Sequence, residues 1–120
     1  MICLMKGNKT QKNIDNQSLQ QNIRDYDNES ILDLKIINKL GLHARAAAKL
    51  VEIVNHYDCE CHISHLNTKV NAKSIMGVLM LAASQGSTVK ICASGSTQEL
   101  RHTMLRKVKD LVEDYFGEGE

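Results

Sequence analysis

The segment Gly41-Leu42-His43-Ala44-Arg45 places an imidazole and a guanidinium close together at the start of an alanine-rich stretch. Residues 36–40 have strand character and residues 44–56 have helical character, so His43 is predicted to lie at a helix start. A helix start leaves about four backbone N–H groups without partners, and no Ser, Thr, Asp or Asn stands at positions 42–45 to cap them. Free amides, the positive end of the helix dipole and an arginine together predict an anion site, whose natural ligand is a phosphate.

The composition argues against several classes of function. The chain has 120 residues, which is enough for one domain with a single core. A formal net charge of +1 and only 3% aromatic residues do not favour nucleic acid or an anionic membrane as a partner. No apolar run approaches the ~20 residues that span a bilayer. The apolar start, Met1–Met5, is shorter than a signal-peptide core of about 7–15 residues, so we expect a cytoplasmic protein.

The four cysteines are expected to be reduced thiols, because the sequence has no export signal. The segment Cys59-Glu60-Cys61-His62-Ile63-Ser64-His65 contains four side chains that could bind zinc. In a strand, however, the two cysteines and His65 would lie on one face and His62 on the other, so they could not surround one ion. We therefore predict buried core cysteines, with no metal site and no cofactor. A small metal-binding α/β domain that uses this cluster stays as an alternative.

The hydrophobic pattern divides the chain into a polar extension, residues 1–30, and a domain, residues 31–120. The extension is predicted to be disordered, because its few apolar residues are spaced too widely to form a firm face. In the domain, strands are predicted over residues 31–38, 59–66, 69–73 and 87–93, and helices over 44–56, 74–83 and about 20 residues after Gly95-Ser96. This order, β-α-β-β-α-β-α, is typical of an α+β open-faced sandwich.

Apolar residues recur at helical spacing in the first and the last predicted helix. In the first helix they are Ala47, Leu50, Val51 and Val54. In the last helix they are Leu100, Met104, Val108, Leu111 and Tyr115. These faces are predicted to cover one side of the sheet.

Together with Lys73-Ser74-Ile75-Met76-Gly77-Val78, the first segment resembles HPr, the phosphocarrier of the bacterial phosphoenolpyruvate-dependent phosphotransferase system. The resemblance covers residues 31–117, and residues 37–43 with Leu79-Met80-Leu81 are also similar to the nitrogen-related branch, NPr. It implies an HPr-like four-stranded antiparallel sheet with three helices on one face, and a stoichiometric carrier instead of an independent enzyme. One departure is Ala46, where most relatives have proline. Alanine is a good helix former, so we expect the helix to form. Without the proline, the His43 loop is expected to be held less rigidly.

The resemblance implies that His43 accepts a phosphoryl group from the phosphohistidine of enzyme I. It further implies that His43 passes the group to a histidine of an enzyme IIA component of the sugar or the nitrogen-related system. Imidazole suits this role because its ordinary pKa, ~6.5, leaves a neutral and nucleophilic nitrogen at cytoplasmic pH. Arg45 would stabilise the charge on the phosphate oxygens.

Ser74 is predicted to cap the second helix, and the resemblance implies that an HPr kinase/phosphorylase could phosphorylate it. The resemblance also implies that apolar residues dock enzyme I and enzyme IIA, namely Leu42, Ile75, Met76 and Leu79. A phosphate on Ser74 would add about two negative charges beside them and weaken docking. We expect a monomer. The remaining alternative is a regulatory adaptor on the same scaffold that controls partners by its phosphorylation state and does not drive sugar uptake.

Overall fold

The computed structural model describes residues 23–118, which form an α+β sandwich of five strands and three helices. The strands are β1 (Arg24–Tyr26), β2 (Glu29–Lys35), β3 (Glu60–His65), β4 (Thr68–Asn71) and β5 (Thr88–Ser94). The helices are α1 (Ala44–Asn55), α2 (Ile75–Met80) and α3 (Gln98–Glu113), and a 3₁₀ turn follows at Tyr115–Gly117. None of the helices in this part of the chain is long and apolar enough to cross a membrane.

The strands form one antiparallel sheet in the order β1-β2-β5-β3-β4. In its centre Leu32 of β2 and Ile63 of β3 both pair with Ile91 of β5. Alternate residues of these strands are buried, as a sheet with one covered face requires. The helices pack on that face, and the predicted α+β open-faced sandwich is confirmed.

The sheet has five strands where four were predicted. The added strand, β1, lies within the residues that we assigned to the disordered extension. It forms a hairpin with β2, in which Arg24 pairs with Ile31 and Asp27 takes a positive φ of 44° in the turn. A strand of three residues is too short to show a hydrophobic period, so the pattern gave no signal for it. The prediction for residues 1–22 concerns residues outside those that the structure describes.

The face predicted for α1 is buried, but the buried face of α3 differs from the prediction. Leu100 and Leu111 are only partly buried, and Tyr115 lies beyond the helix and is 37% exposed. The buried residues of α3 are Arg101, Met104, Leu105, Val108, Lys109 and Val112. Long basic side chains can bury their stems when their polar ends find partners, which a count of apolar residues does not detect. Phe116, just after the helix, is fully buried.

Candidate functional site

His43 is the N-cap residue of α1, with φ −78° and ψ 178°, and its side chain makes no capping hydrogen bond. The first helical hydrogen bond runs from the N–H of Ala47 to the His43 carbonyl oxygen over 2.8 Å. The N–H groups of Ala44, Arg45 and Ala46 donate to no other residue among 23–118. Three donors at the positive end of a helix therefore stay available next to the imidazole.

The loop before His43 is held by Gly41, which has a positive φ of 66°. A Cβ atom at this position would lie 2.6 Å from the carbonyl oxygen of Ala83 and 2.9 Å from the Cα atom of Ser84. The next residue, Leu42, donates its N–H to the same Ala83 oxygen over 2.9 Å. Only glycine fits this approach, so the segment after α2 fixes the path of the loop that presents His43.

Arg45 lies in the first turn of α1 and is exposed. Its guanidinium makes no hydrogen bond or ion pair with another residue of the described range. A cation in the first turn opposes the helix dipole, and the first turn contains no acidic residue that would balance it. The arrangement leaves Arg45 free to bind an anion that reaches the helix start. Ala46, the residue at the position of the usual proline, is fully buried.

Two residues at this site were not found from the sequence: Asn38 and Glu118. The Nε2 atom of His43 makes a short hydrogen bond with Oε2 of Glu118. The other carboxylate oxygen accepts a hydrogen bond from Nδ2 of Asn38 over 3.0 Å, and the same Nδ2 donates to the Gly41 carbonyl over 2.9 Å. The hydrogen bond with His43, followed by that from Asn38, lowers the pKa of the Glu118 carboxyl below its ordinary value.

Ser74 is the N-cap residue of α2, as predicted, and its Oγ accepts a hydrogen bond from the N–H of Gly77 over 3.1 Å. Ser74 itself is partly exposed. The structure therefore gives Ser74 a structural role that exists with or without a modification. The regulatory role stays a prediction.

Of the residues predicted to dock partners, Ile75 is 42% and Met76 is 69% exposed. Leu79 is partly buried. Leu42 is only 5% exposed and belongs to the core, so little of its side chain faces solvent. The docking role of these residues stays a prediction. The exposed apolar residues near these positions in sequence also include Leu40 and Met80.

The cysteine cluster lies largely in the core. Cys59 is 6% and Cys61 is 1% exposed, and burial raises the pKa of the Cys61 thiol to about 12. His62 and His65 are partly exposed on the same strand. In residues 23–118, no group of three or more His, Cys, Asp or Glu side chains is placed to hold a metal ion. The prediction for Cys3 lies outside the described residues.

Comparison with known proteins identifies the family of the chain. Residues 32–114 match the family described as "PTS HPr component phosphorylation site". The phosphocarrier protein HPr of Cupriavidus necator is 47% identical over 89 residues, which cover 73% of this chain and 96% of that protein. The HPr of Neisseria meningitidis serogroup A is 40% identical over 87 residues, 72% of this chain and 94% of that protein.

A solved structure gives the same result for the fold. The crystal structure of HPr-C-His from Thermoanaerobacter tengcongensis superposes with a TM-score of 0.67 at 41% identity, and the match covers 73% of this chain and 96% of that one. Fold, family match and relatives agree, and the family match over residues 32–114 includes the His43 loop and the three helices. The chain therefore belongs to the HPr family of phosphocarriers of the phosphotransferase system.

Proposed function

We propose that His43 is the residue that accepts a phosphoryl group from the phosphohistidine of enzyme I and passes it to a histidine of an enzyme IIA component. The observation that supports this role best is the position of the imidazole at the start of α1. It lies beside three N–H groups that have no partner among residues 23–118, and it is not used as a cap. Phosphoryl transfer needs mainly positioning and stabilisation of charge, and this site provides both.

In this proposal the amides of the first turn of α1 bind the oxygens of the phosphoryl group on one side. The exposed guanidinium of Arg45 can approach the same oxygens from the other side. A planar guanidinium donates two parallel hydrogen bonds to a phosphate, which also fixes its orientation. The histidine of the partner then approaches in line from the solvent side, where His43 is 25% exposed. Each partner thus completes a site of which this chain supplies half.

The exposed apolar side chains of Ile75 and Met76, with the partly buried Leu79, are proposed to dock enzyme I and enzyme IIA. Their neighbour Ser74 caps α2 through its Oγ. A phosphate on that oxygen would place charge beside the docking residues and weaken binding of both partners. We propose that the carrier works in the cytoplasm as a monomer.

The decisive experiment is phosphorylation of the purified protein by enzyme I, magnesium and radiolabelled phosphoenolpyruvate. We expect an acid-labile, base-stable phosphate that His43→Ala abolishes. The matched control is His102→Ala, because His102 also makes a hydrogen bond between Nε2 and a carboxylate and has similar exposure. If His43→Ala still takes up the label, or if His102→Ala loses it, the assignment of His43 is wrong.

The regulatory adaptor is the second candidate, and the position of Ser74 next to two exposed apolar side chains favours it. Incubation with an HPr kinase and a nucleoside triphosphate is expected to give an acid-stable phosphate that Ser74→Ala abolishes. Offering the His43-phosphorylated protein to sugar-type and nitrogen-related enzyme IIA components then decides the branch. A protein that passes phosphate to neither component, but whose partners respond to its phosphorylation, would be an adaptor.

A further inference from the structure

The carboxylate of Glu118 reaches His43 from a position 75 residues later in the sequence. The side chains of His43 and Glu118 are 25% and 15% exposed, so the pair is largely shielded from water. Glu118 Oε2 faces the imidazole Nε2, while Oε1 accepts from the Nδ2 atom of Asn38 over 3.0 Å. Asn38 is fully buried, and its Nδ2 also holds the Gly41 carbonyl at 2.9 Å. The carboxylate is therefore fixed at both oxygens.

The backbone before Glu118 is built to bring it there. Tyr115, Phe116 and Gly117 have successive positive φ values of 56°, 53° and 75°. Left-handed conformations are unfavourable for residues other than glycine and persist only where the surrounding structure holds them. Phe116 is fully buried, and its carbonyl oxygen accepts a hydrogen bond from the Nζ atom of Lys49 over 2.6 Å. The core and α1 together compensate for a turn that folds the chain back towards His43.

The charge of Glu118 determines which nitrogen of the His43 imidazole carries the proton. The hydrogen bond with His43 is the main reason that the pKa of Glu118 is lowered, so the carboxyl is ionised at neutral pH. An ionised carboxylate only accepts hydrogen bonds. The Nε2 atom of His43 must then carry the proton, which leaves the lone pair of a neutral ring on Nδ1.

We propose that Glu118 is a positioning residue for phosphoryl transfer: its carboxylate holds the Nε2 proton of His43 and presents Nδ1 as the nucleophile. This inference rests on the proposed function of His43. In the transfer, the Nδ1 lone pair forms the new bond to phosphorus, and the phosphohistidine of enzyme I takes back the electron pair of the bond that breaks. The Nε2 proton stays on the ring, which becomes positively charged when Nδ1 is substituted. The Glu118 carboxylate then balances that charge.

The first test does not depend on phosphorylation. Nitrogen NMR of ¹⁵N-histidine-labelled protein at a pH where the ring is neutral is expected to show His43 in the tautomer protonated at Nε2. In Glu118→Gln the signals are expected to move towards a mixture of tautomers, while those of His102 stay unchanged as an internal reference. If His43 in the unaltered protein already shows a mixture, or if Glu118→Gln leaves its signals in place, the inference is overturned.

The second test is kinetic and uses the full chain with enzyme I and phosphoenolpyruvate. Glu118→Gln is expected to lower the rate of phosphorylation about tenfold, equivalent to about 1.4 kcal/mol of transition-state stabilisation, and to lower the fraction phosphorylated at equilibrium, because the charged ring loses its counter-ion. Glu118→Asp, which keeps a carboxylate, is expected to restore part of the rate. The matched control is Glu113→Gln, whose carboxylate pairs with Lys109 on α3 over 3.0 Å. Equal rates for both Gln variants would overturn the inference, whereas a chain in which His43 takes up no phosphate at all would instead disprove the proposed function.

Discussion

The protein contains two histidine–carboxylate pairs, and they differ in what surrounds them. His43 Nε2 faces Glu118, and His102 Nε2 lies 2.9 Å from Oδ1 of Asp25. The histidine side chains are 25% and 22% exposed, so burial does not distinguish them. Pairing alone therefore gives no indication of function.

The groups around His102 and Asp25 are satisfied. Ser30 Oγ donates to Asp25 over 2.6 Å, and Arg101 donates to Ser30 over 2.9 Å and to the Gly95 carbonyl over 3.1 Å. This network ties α3 to the β1–β2 hairpin, and its hydrogen bonds run between residues of the protein. It is a structural network.

The groups around His43 are not satisfied. Three amides at the start of α1 and the guanidinium of Arg45 have no partner within residues 23–118. In the same part of the chain, Oδ1 of Asn38 is the only buried side-chain nitrogen or oxygen atom without a hydrogen bond. Buried polar groups in proteins are nearly always paired. Asn38 Oδ1 is an acceptor, so the donors that an anion could use are the three amides and the guanidinium. These unpaired donors distinguish the His43 site from the His102 network, whereas the histidine–carboxylate pair is common to both.

The largest effect is expected from breaking the satisfied network. Arg101→Met keeps an unbranched side chain of about the length of the arginine stem but removes the donors to Ser30, Gly95 and Ser96. Hydrogen bonds from a charged group contribute about 1.5–3 kcal/mol each. We expect the free energy of unfolding, measured by urea denaturation, to fall by about 3 kcal/mol. Phosphorylation of His43 in the folded protein should stay unchanged, and a loss of transfer without a loss of stability would contradict the comparison.

At the His43 site we expect the opposite result, a loss of phosphorylation rate with little change in stability. Arg45→Met removes a charge that stabilises no described contact, so stability should change by less than about 0.5 kcal/mol. The rate of phosphorylation by enzyme I should fall about thirtyfold, equivalent to about 2 kcal/mol of transition-state stabilisation. Arg106→Met, at an exposed position of α3, is the matched control and should keep the full rate. An equally reduced rate of phosphorylation in Arg106→Met would show that the net charge of the protein, and not Arg45, governs the reaction.

The pH dependence of stability should also distinguish the Asp25–His102 network from the His43 site. The hydrogen bond from Ser30, followed by that with His102, lowers the pKa of Asp25 from 3.8 to about 2. Because the pKa is lower in the folded protein, Asp25 adds stability above pH 3.8 that is lost as the pH falls towards about 2. Asp25→Asn should be less stable at neutral pH, and its free energy of unfolding should fall less as the pH is lowered. If urea titrations between these pH values show the same pH dependence of the free energy of unfolding as in the unaltered protein, the role of Asp25 is disproved.

The smallest effect is expected at the cap of α2. Ser74→Ala removes the acceptor of the Gly77 N–H, which lies 3.1 Å away, and should cost about 1 kcal/mol of stability. Thermal unfolding of Ser74→Ala should show this loss as a lower midpoint. A midpoint equal to that of the unaltered protein would disprove the contribution of the cap. His43→Ala is not a control here, because it removes the hydrogen bond with Glu118 although the His43 side chain makes no capping bond.

The sequence predicted those parts of the molecule whose signals are local. His43 and Arg45 lie within one turn of each other, and the α1 face repeats at helical spacing, so both could be predicted from residue type and position. Ser74 directly precedes the helix that it caps. These features need no knowledge of the folded chain.

The features that the sequence did not predict depend on contacts between distant segments of the chain. Glu118 meets His43 only because Tyr115–Gly117 adopt left-handed conformations, and no spacing in the sequence encodes that turn. The buried Arg101 appears polar in any pattern, although its partners on β2 and in the turn before α3 make burial favourable. The strand β1 has three residues, so its pairing with β2 and not its own pattern identifies it.

The burial of Cys61 has a consequence for the chemistry that the protein tolerates. A thiol with a pKa of about 12 is ionised to roughly one part in 10⁵ at neutral pH, and the thiolate is the form that oxidants and alkylating reagents attack. Cys59 is also buried, and its Sγ contacts the Met104 sulfur at 3.7 Å inside the core. Oxidative stress should therefore leave both thiols intact for as long as the protein stays folded. Of the cysteines in the described range, the partly exposed Cys92 is the one that should react first.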